Sequence, residues 1–140
     1  MPATIQTVNS GTPLQIILWL AQFSIAIVFI LSGFTKLATP LSELAKIMPW
    51  TGEYPMWFVR SIAVIDLAGG IGIILPALTR ILPRLTVLAA LGCIVLQVLA
   101  IGFHVSRGEA MVTPLNFALL GLSLLVWWGR ARKAPILPRT

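Results

Sequence analysis

Charge is what this chain has least of. Four acidic and ten basic residues are spread over 140 positions, 10% in all, where a soluble domain carries about 25%. A surface so poor in charge cannot be meant to face water. Thiols are equally scarce. Cys93 is the only cysteine, so no disulfide can close within the chain, and the CxxC pair of a thiol–disulfide catalyst is absent. Set in an apolar run, Cys93 reads as a buried structural residue. His104 is the only histidine; with no Cys or His partner nearby it is a poor metal ligand. No haem or iron–sulfur ligand set is present, so any redox chemistry needs a bound organic cofactor or a partner. Lys and Arg are missing from Met1 to Pro13, and with them the positive start of a cleaved signal peptide. Repeats, low-complexity segments and inverted symmetry between the halves are not evident, which speaks against a self-contained transporter.

What fills the chain instead is apolar: 58% of it is hydrophobic. Four runs are long enough to cross a bilayer, each of about 20 residues. They lie near 14–34, 56–78, 85–103 and 111–128. In lipid every backbone group needs an internal partner, so each must be a helix. Pro13 and Pro114 fall in first turns, where a missing N–H costs least. Between the first two runs, Leu41, Leu44, Ile47 and Met48 recur at helical spacing around Glu43 and Lys46, up to Pro49. That pattern predicts a short interfacial helix. The fold class expected is an all-α membrane protein, a bundle of four transmembrane helices with an interfacial helix between spans one and two. Residues 1–13 are then an N-terminal tail, 14–129 the transmembrane domain and 130–140 a basic C-terminal tail. Trp50, Tyr54 and Trp57 resemble an interfacial aromatic belt, with Trp127 and Trp128 on the opposite side.

The basic residues sit at the ends of apolar runs, where they orient spans and meet anionic headgroups. They do not interleave with aromatics as a nucleic-acid site requires, so nucleic acid is not an expected partner. Four spans put Arg80, Arg84, Arg130, Arg132, Lys133 and Arg139 on one side with no acid among them. The other side holds Lys36, Lys46 and Arg107, with Arg60 near it. The positive-inside rule then places both termini in the cytoplasm; the expected location is the cell (inner) membrane.

Asp66 stands out. It lies about ten residues into span two, roughly 15 Å deep, where a lone carboxylate costs about 2.5–3.5 kcal/mol on insertion scales. It must be protonated, paired or facing a wet cavity. It is read either as a group that exchanges protons or binds a polar ligand, or as half of a structural ion pair or interhelical hydrogen bond. Gly69, Gly70 and Gly72 follow it and favour close helix packing, or open a cleft beside it. Arg60 lies about 120° around the same helix, badly placed to pair with Asp66 and near enough to the surface to snorkel. Lys36, His104, Arg107 and Glu109 approach the same side of the membrane. They would converge above Asp66 on a polar pocket, or serve as headgroup anchors and interfacial hydrogen bonds.

Three stretches carry a family resemblance. Ser32-Gly33-Phe34-Thr35-Lys36-Leu37 closes span one. Asp66 leads a Gly-rich half-span to Leu78-Thr79-Arg80. His104-Val105-Ser106-Arg107-Gly108-Glu109 precedes a last span ending in Trp128-Gly129-Arg130. In their order and spacing the chain resembles the DoxX-like membrane proteins of the broader DoxX/DoxD group. The resemblance implies a four-helix fold and, from some relatives, partnership in membrane redox complexes; it implies no catalytic set. The expected function is redox-associated binding of a quinone or another lipophilic small molecule, with Asp66 and His104 as proton-exchanging candidates and Lys36, Arg60, Arg107 and Glu109 around them. The alternatives are a non-catalytic accessory or assembly subunit, held to a membrane protein partner or to a second copy of the chain, and a membrane-embedded acid/base enzyme using Asp66 and His104.

Overall fold

The computed structural model describes residues 11–140; most of the expected N-terminal tail lies outside them. Helix α1 covers Thr12–Ala38, α2 Leu41–Ile47, α3 Met56–Thr79, α4 Arg84–Ser106 and α5 Thr113–Trp128. Single 3-10 turns at Pro49–Gly52 and Ala110–Val112 precede α3 and α5, and a π-helical turn at Gly129–Lys133 prolongs α5. Among the described residues, four helices are long and apolar enough to cross a membrane, the last counted with its flanking turns as Ala110–Lys133. The 24 residues of α3 reach roughly 36 Å at 1.5 Å per residue, more than the hydrocarbon core needs. The protein is an all-helical four-span membrane bundle with a short helix between its first two spans.

Proline sets several boundaries. Pro13 opens α1, Pro40 and Pro55 cap α2 and α3, and Pro114 lies in the first turn of α5. Pro76 sits inside α3, where it removes one backbone hydrogen bond. In the same stretch the amide of Gln22 on α1 donates to the Ile73 carbonyl at 2.8 Å, an interhelical bond of the kind that makes a broken helix tolerable in lipid. Helix α3 ends on Arg80 in the left-handed region, φ 59°, and Gly108, φ 73°, reverses the chain after α4.

Helices α1 and α3 approach most closely where side chains vanish. A Cβ on Gly33 would stand 2.7 Å from both the Ala63 carbonyl oxygen and Leu67 Cγ; one on Gly70 would meet Ile30 Cγ1 at 2.8 Å and the Ala26 carbonyl at 3.2 Å. Gly70 is thus a packing residue. The core below them joins Ala21, Ile25, Ala26 and Phe29 of α1 to Ile73 of α3, Ala90 and Cys93 of α4, and Leu119 and Val126 of α5. Leu20, Leu31, Val64, Leu88, Leu99 and Phe117 are exposed. Lipid tails are as apolar as these side chains, so dispersion and close approach, not expulsion from water, hold the helices together.

The expected aromatic belt divides in two. Trp57 is exposed, as a belt residue is. Trp50 and Tyr54 turn inward onto Phe103 of α4, with ring centroids 5.8 and 5.6 Å away, and Tyr54 stacks on Phe58 at 5.2 Å. Edge and stacked pairs of this kind add about 0.5–1.5 kcal/mol each beyond burial. They bind the loop between α2 and α3 down over the bundle mouth.

Candidate functional site

Ser32 and Lys36 are four residues apart and so share one face of α1. Gly33, between them, lets α3 come close enough for that face to meet Asp66. Lys36 Nζ lies 2.6 Å from Asp66 Oδ2 and 2.6 Å from Ser32 Oγ, and Ser32 Oγ donates to the same carboxylate oxygen at 3.0 Å. Lys36 is 7% and Asp66 6% exposed. The acid expected to be protonated, paired or wet is therefore paired, by a partner on the neighbouring helix. Both bonds to Asp66 end on Oδ2; among the described residues Oδ1 of Asp66 accepts none. Arg60 is turned away from Asp66. Its guanidinium donates to the Lys36 carbonyl and, at 3.2 Å, to the Thr39 carbonyl. It closes the C-terminal end of α1 and holds the backbone of Lys36.

His104, Arg107 and Glu109 form a second network where α4 ends. His104 Nδ1 is 2.8 Å from Glu109 Oε2, and Arg107 Nε donates to Glu109 Oε1 at 3.1 Å. Arg107 Nη1 reaches Glu53 Oε2 at 2.6 Å across to the loop before α3, and the guanidinium stacks 5.4 Å above Phe103. No hydrogen bond among the described residues joins this network to Lys36 and Asp66. The polar residues of the mouth thus fall into two constellations: an inner pair across α1 and α3, and an outer cluster tying the α4–α5 turn to the α2–α3 loop.

The outer cluster has a readable proton linkage. The bond from Arg107, above all, holds the Glu53 carboxyl below its ordinary range, against partial desolvation. Glu109 is lowered as well, first by its bond to His104 and then by Arg107. The Arg107 guanidinium is raised, mainly by Glu53. A lowered carboxyl contributes its stability above the unfolded value, about 4.3 for Glu, and loses it as pH falls through the lower folded value. Carbon-13 NMR of the two carboxyls should give midpoints below that of a free Glu, and Arg107→Gln should raise both. Midpoints at the free value in the native protein would show that the tether does not form.

Beside the inner pair lies an apolar groove of about 260 Å³, lined by Phe29, Ile65, Gly69, Gly92, Cys93 and Leu96 among others. It opens between α3 and α4. Asp66 is not on its wall, but is about 60° around α3 from Gly69, on the side facing α1.

Uncharged polar residues inside the spans form contacts that a reading of charges passes over. Asn116 Nδ2 donates to Gln97 Oε1 at 2.8 Å, linking α4 and α5. Gln22, besides meeting Ile73, accepts from Arg130 Nε at 2.7 Å. Arg130, read from the sequence only as part of a basic end, is 3% exposed. The signal was available: a Gln or Asn within an apolar run needs a partner just as a charge does.

With this geometry in view, the comparison with known proteins is informative at the level of family. A family model described as the DoxX-like family matches residues 20–126, more than half of the chain, and the chain belongs to that family. No curated protein and no solved structure matches.

Proposed function

We propose that this DoxX-like membrane protein binds a quinone-like or similarly lipophilic molecule and serves membrane redox chemistry. The single observation that carries the reading is the buried Lys36–Asp66 pair, with one carboxylate oxygen uncommitted, flanking an open apolar groove. In this reading the ring or tail lies in the groove along Gly69 and Gly92. Its oxygens meet Asp66 Oδ1 and the ammonium of Lys36, a pair able to accept or donate a hydrogen bond. Arg60 positions Lys36 through its carbonyl. His104 and Glu109, with Arg107 holding Glu109, pass protons between the mouth and the outside; Asp66 and His104 remain the candidates for proton exchange. Residues 14–129 act as one transmembrane unit, with 130–140 as a basic tail. The basic end faces the cytoplasm, by the charge bias, with the protein in the cell (inner) membrane.

A test is to purify the protein in native lipid and quantify bound quinone by mass spectrometry. A stoichiometric quinone is expected in the native chain. Asp66→Asn should reduce it about tenfold, the loss expected when one hydrogen bond to a charged group goes. Gly92→Leu should displace it with the fold intact, because a Cβ there meets no atom within 4 Å. A native chain without quinone, or Gly92→Leu retaining it in full, would sink the reading.

The second reading, an accessory subunit, draws on Gly121 of α5. It is exposed on the outer face of the bundle, with nothing within 4 Å of an added Cβ, and small residues on a lipid face admit a partner helix. A stable co-purifying membrane protein, released by Gly121→Leu, would favour it.

A further inference from the structure

The opposite end of the bundle holds a second polar site, unrelated to the quinone reading. Arg130 stands in the π-helical turn after α5, 3% exposed. Its Nε donates to Gln22 Oε1 at 2.7 Å, and its Nη1 donates to Gln15 Oε1 at 2.8 Å and to the Ala134 carbonyl at 3.0 Å. The Trp19 ring lies 5.1 Å from the guanidinium carbon. Every acceptor is neutral. The chain's four acids, Glu43, Glu53, Asp66 and Glu109, belong to the other half of the bundle, and three of them are bound to Lys36, Lys46 and Arg107 there, with Glu109 shared between Arg107 and His104. A buried guanidinium without a counter-charge is costly. Among the described residues, the guanidinium's own Nη2 and the buried Thr86 Oγ1 have no hydrogen-bond partner.

Both residues line one cavity, of about 200 Å³. Pro83, Arg84, Val87 and the segment Pro135–Pro138 complete its wall. That segment is held in place from outside: Arg80 Nε and Nη2 donate to the Leu137 and Pro138 carbonyls at 2.9 and 3.2 Å, and Arg139 N donates to the Arg80 carbonyl at 2.9 Å. The cavity also receives the N-terminal end of α4, a 23-residue helix whose first turn carries no acid. Its dipole adds partial positive charge at that point. A donor nitrogen, a hydroxyl, a second arginine and a helix start thus meet at one half-open cavity with no acidic side chain on its wall.

We propose that this cavity binds a phosphate group, with Arg130 Nη2, Thr86 Oγ1 and the Arg84 side chain as its ligands. Phosphate supplies what the site lacks, a compact anion with several acceptor oxygens, and a guanidinium suits it. The group is carried by an anionic lipid headgroup or by a free phosphate; both share this chemistry, and the cavity lies at the end of the spans, where headgroups sit.

The test uses the full chain in a maltoside detergent, which contains no phosphate. Inorganic phosphate and short-chain phosphatidylglycerol are titrated separately, with binding read by native mass spectrometry and by thermal shift. Thr86→Val and Arg84→Gln are the variants, since neither removes a bond that Arg130 makes within the protein. One equivalent is expected to bind, and each variant should weaken it by about tenfold. Retention of inorganic phosphate as well as lipid, both weakened by the variants, supports a site for free phosphate. Retention of lipid alone, weakened in the same way, supports a headgroup site. No retained phosphate of either kind, or retention equal in native chain and variants, overturns the proposal.

Discussion

Asp66→Ala is expected to destabilise the bundle by about 3–5 kcal/mol, the usual cost of removing one member of a buried ion pair. The reason is what stays behind. Lys36 is 7% exposed and would keep only the Ser32 hydroxyl as a side-chain partner. Its carbonyl is held by Arg60 at the end of α1, so the backbone does not shift to carry the ammonium out to water. The loss should be largely undone in the double variant Lys36→Met with Asp66→Ala, because a pair replaced by apolar groups leaves no charge without a partner. Reversible unfolding in mixed micelles would measure both. A single variant that loses less than about 1 kcal/mol, or a double variant no better than the single, would mean that the pair contributes nothing to stability. The cycle also separates stability from ligand binding: the double variant regains the fold and should remain without quinone.

Gly33→Val should be nearly as damaging, through a different cause. Even the first added carbon would stand 2.7 Å from the Ala63 carbonyl oxygen, and backbone cannot step aside as a side chain can. Overpacking of this kind costs about 1–3 kcal/mol for small additions, and a branched side chain should lie at the top of that range. The consequence reaches the site. Gly33 lies between Ser32 and Lys36, so separating α1 from α3 here lengthens the 2.6 Å contact between Lys36 and Asp66. Gly102→Val, on α4 where an added Cβ meets no atom within 4 Å, is the matched control and should be close to neutral. Equal melting of the two variants would show that the α1–α3 approach is not a tight one.

Much of this protein is legible without coordinates. Twenty-residue apolar runs bounded by proline and arginine can only be membrane helices, since lipid offers the backbone no partner. The short helix at Leu41–Ile47 follows from apolar spacing that stops at a proline. The buried cysteine follows from its apolar setting. Asp66 draws notice for the same reason, a carboxylate at a depth where it must have a partner.

The identity of that partner was not legible. Arg60 is the nearer candidate in sequence and shares a helix with Asp66, whereas Lys36 lies on the preceding span. Helical geometry turned Arg60 aside, and the close approach at Gly33 delivered Lys36 from α1. Nor does sequence order reveal that Lys36 and His104, read as one cluster at the mouth, belong to separate networks. That depends on which way side chains leave helices whose rotation is settled only by packing. Arg130 shows the limit most plainly. From the sequence it is one of several basic residues at a membrane boundary, where the default is exposure. Its burial comes from Gln15, Trp19 and Gln22 of α1, at the far end of the chain in sequence, together with the nearby Ala134. Local physics, the hydrophobicity of each run and the cost of an unmet backbone group, determined the spans, the short helix between the first two of them and the need for a partner at Asp66. Only the tertiary structure decided which charges meet, because pairing depends on the rotation and spacing of helices, and steric fit between small residues sets both.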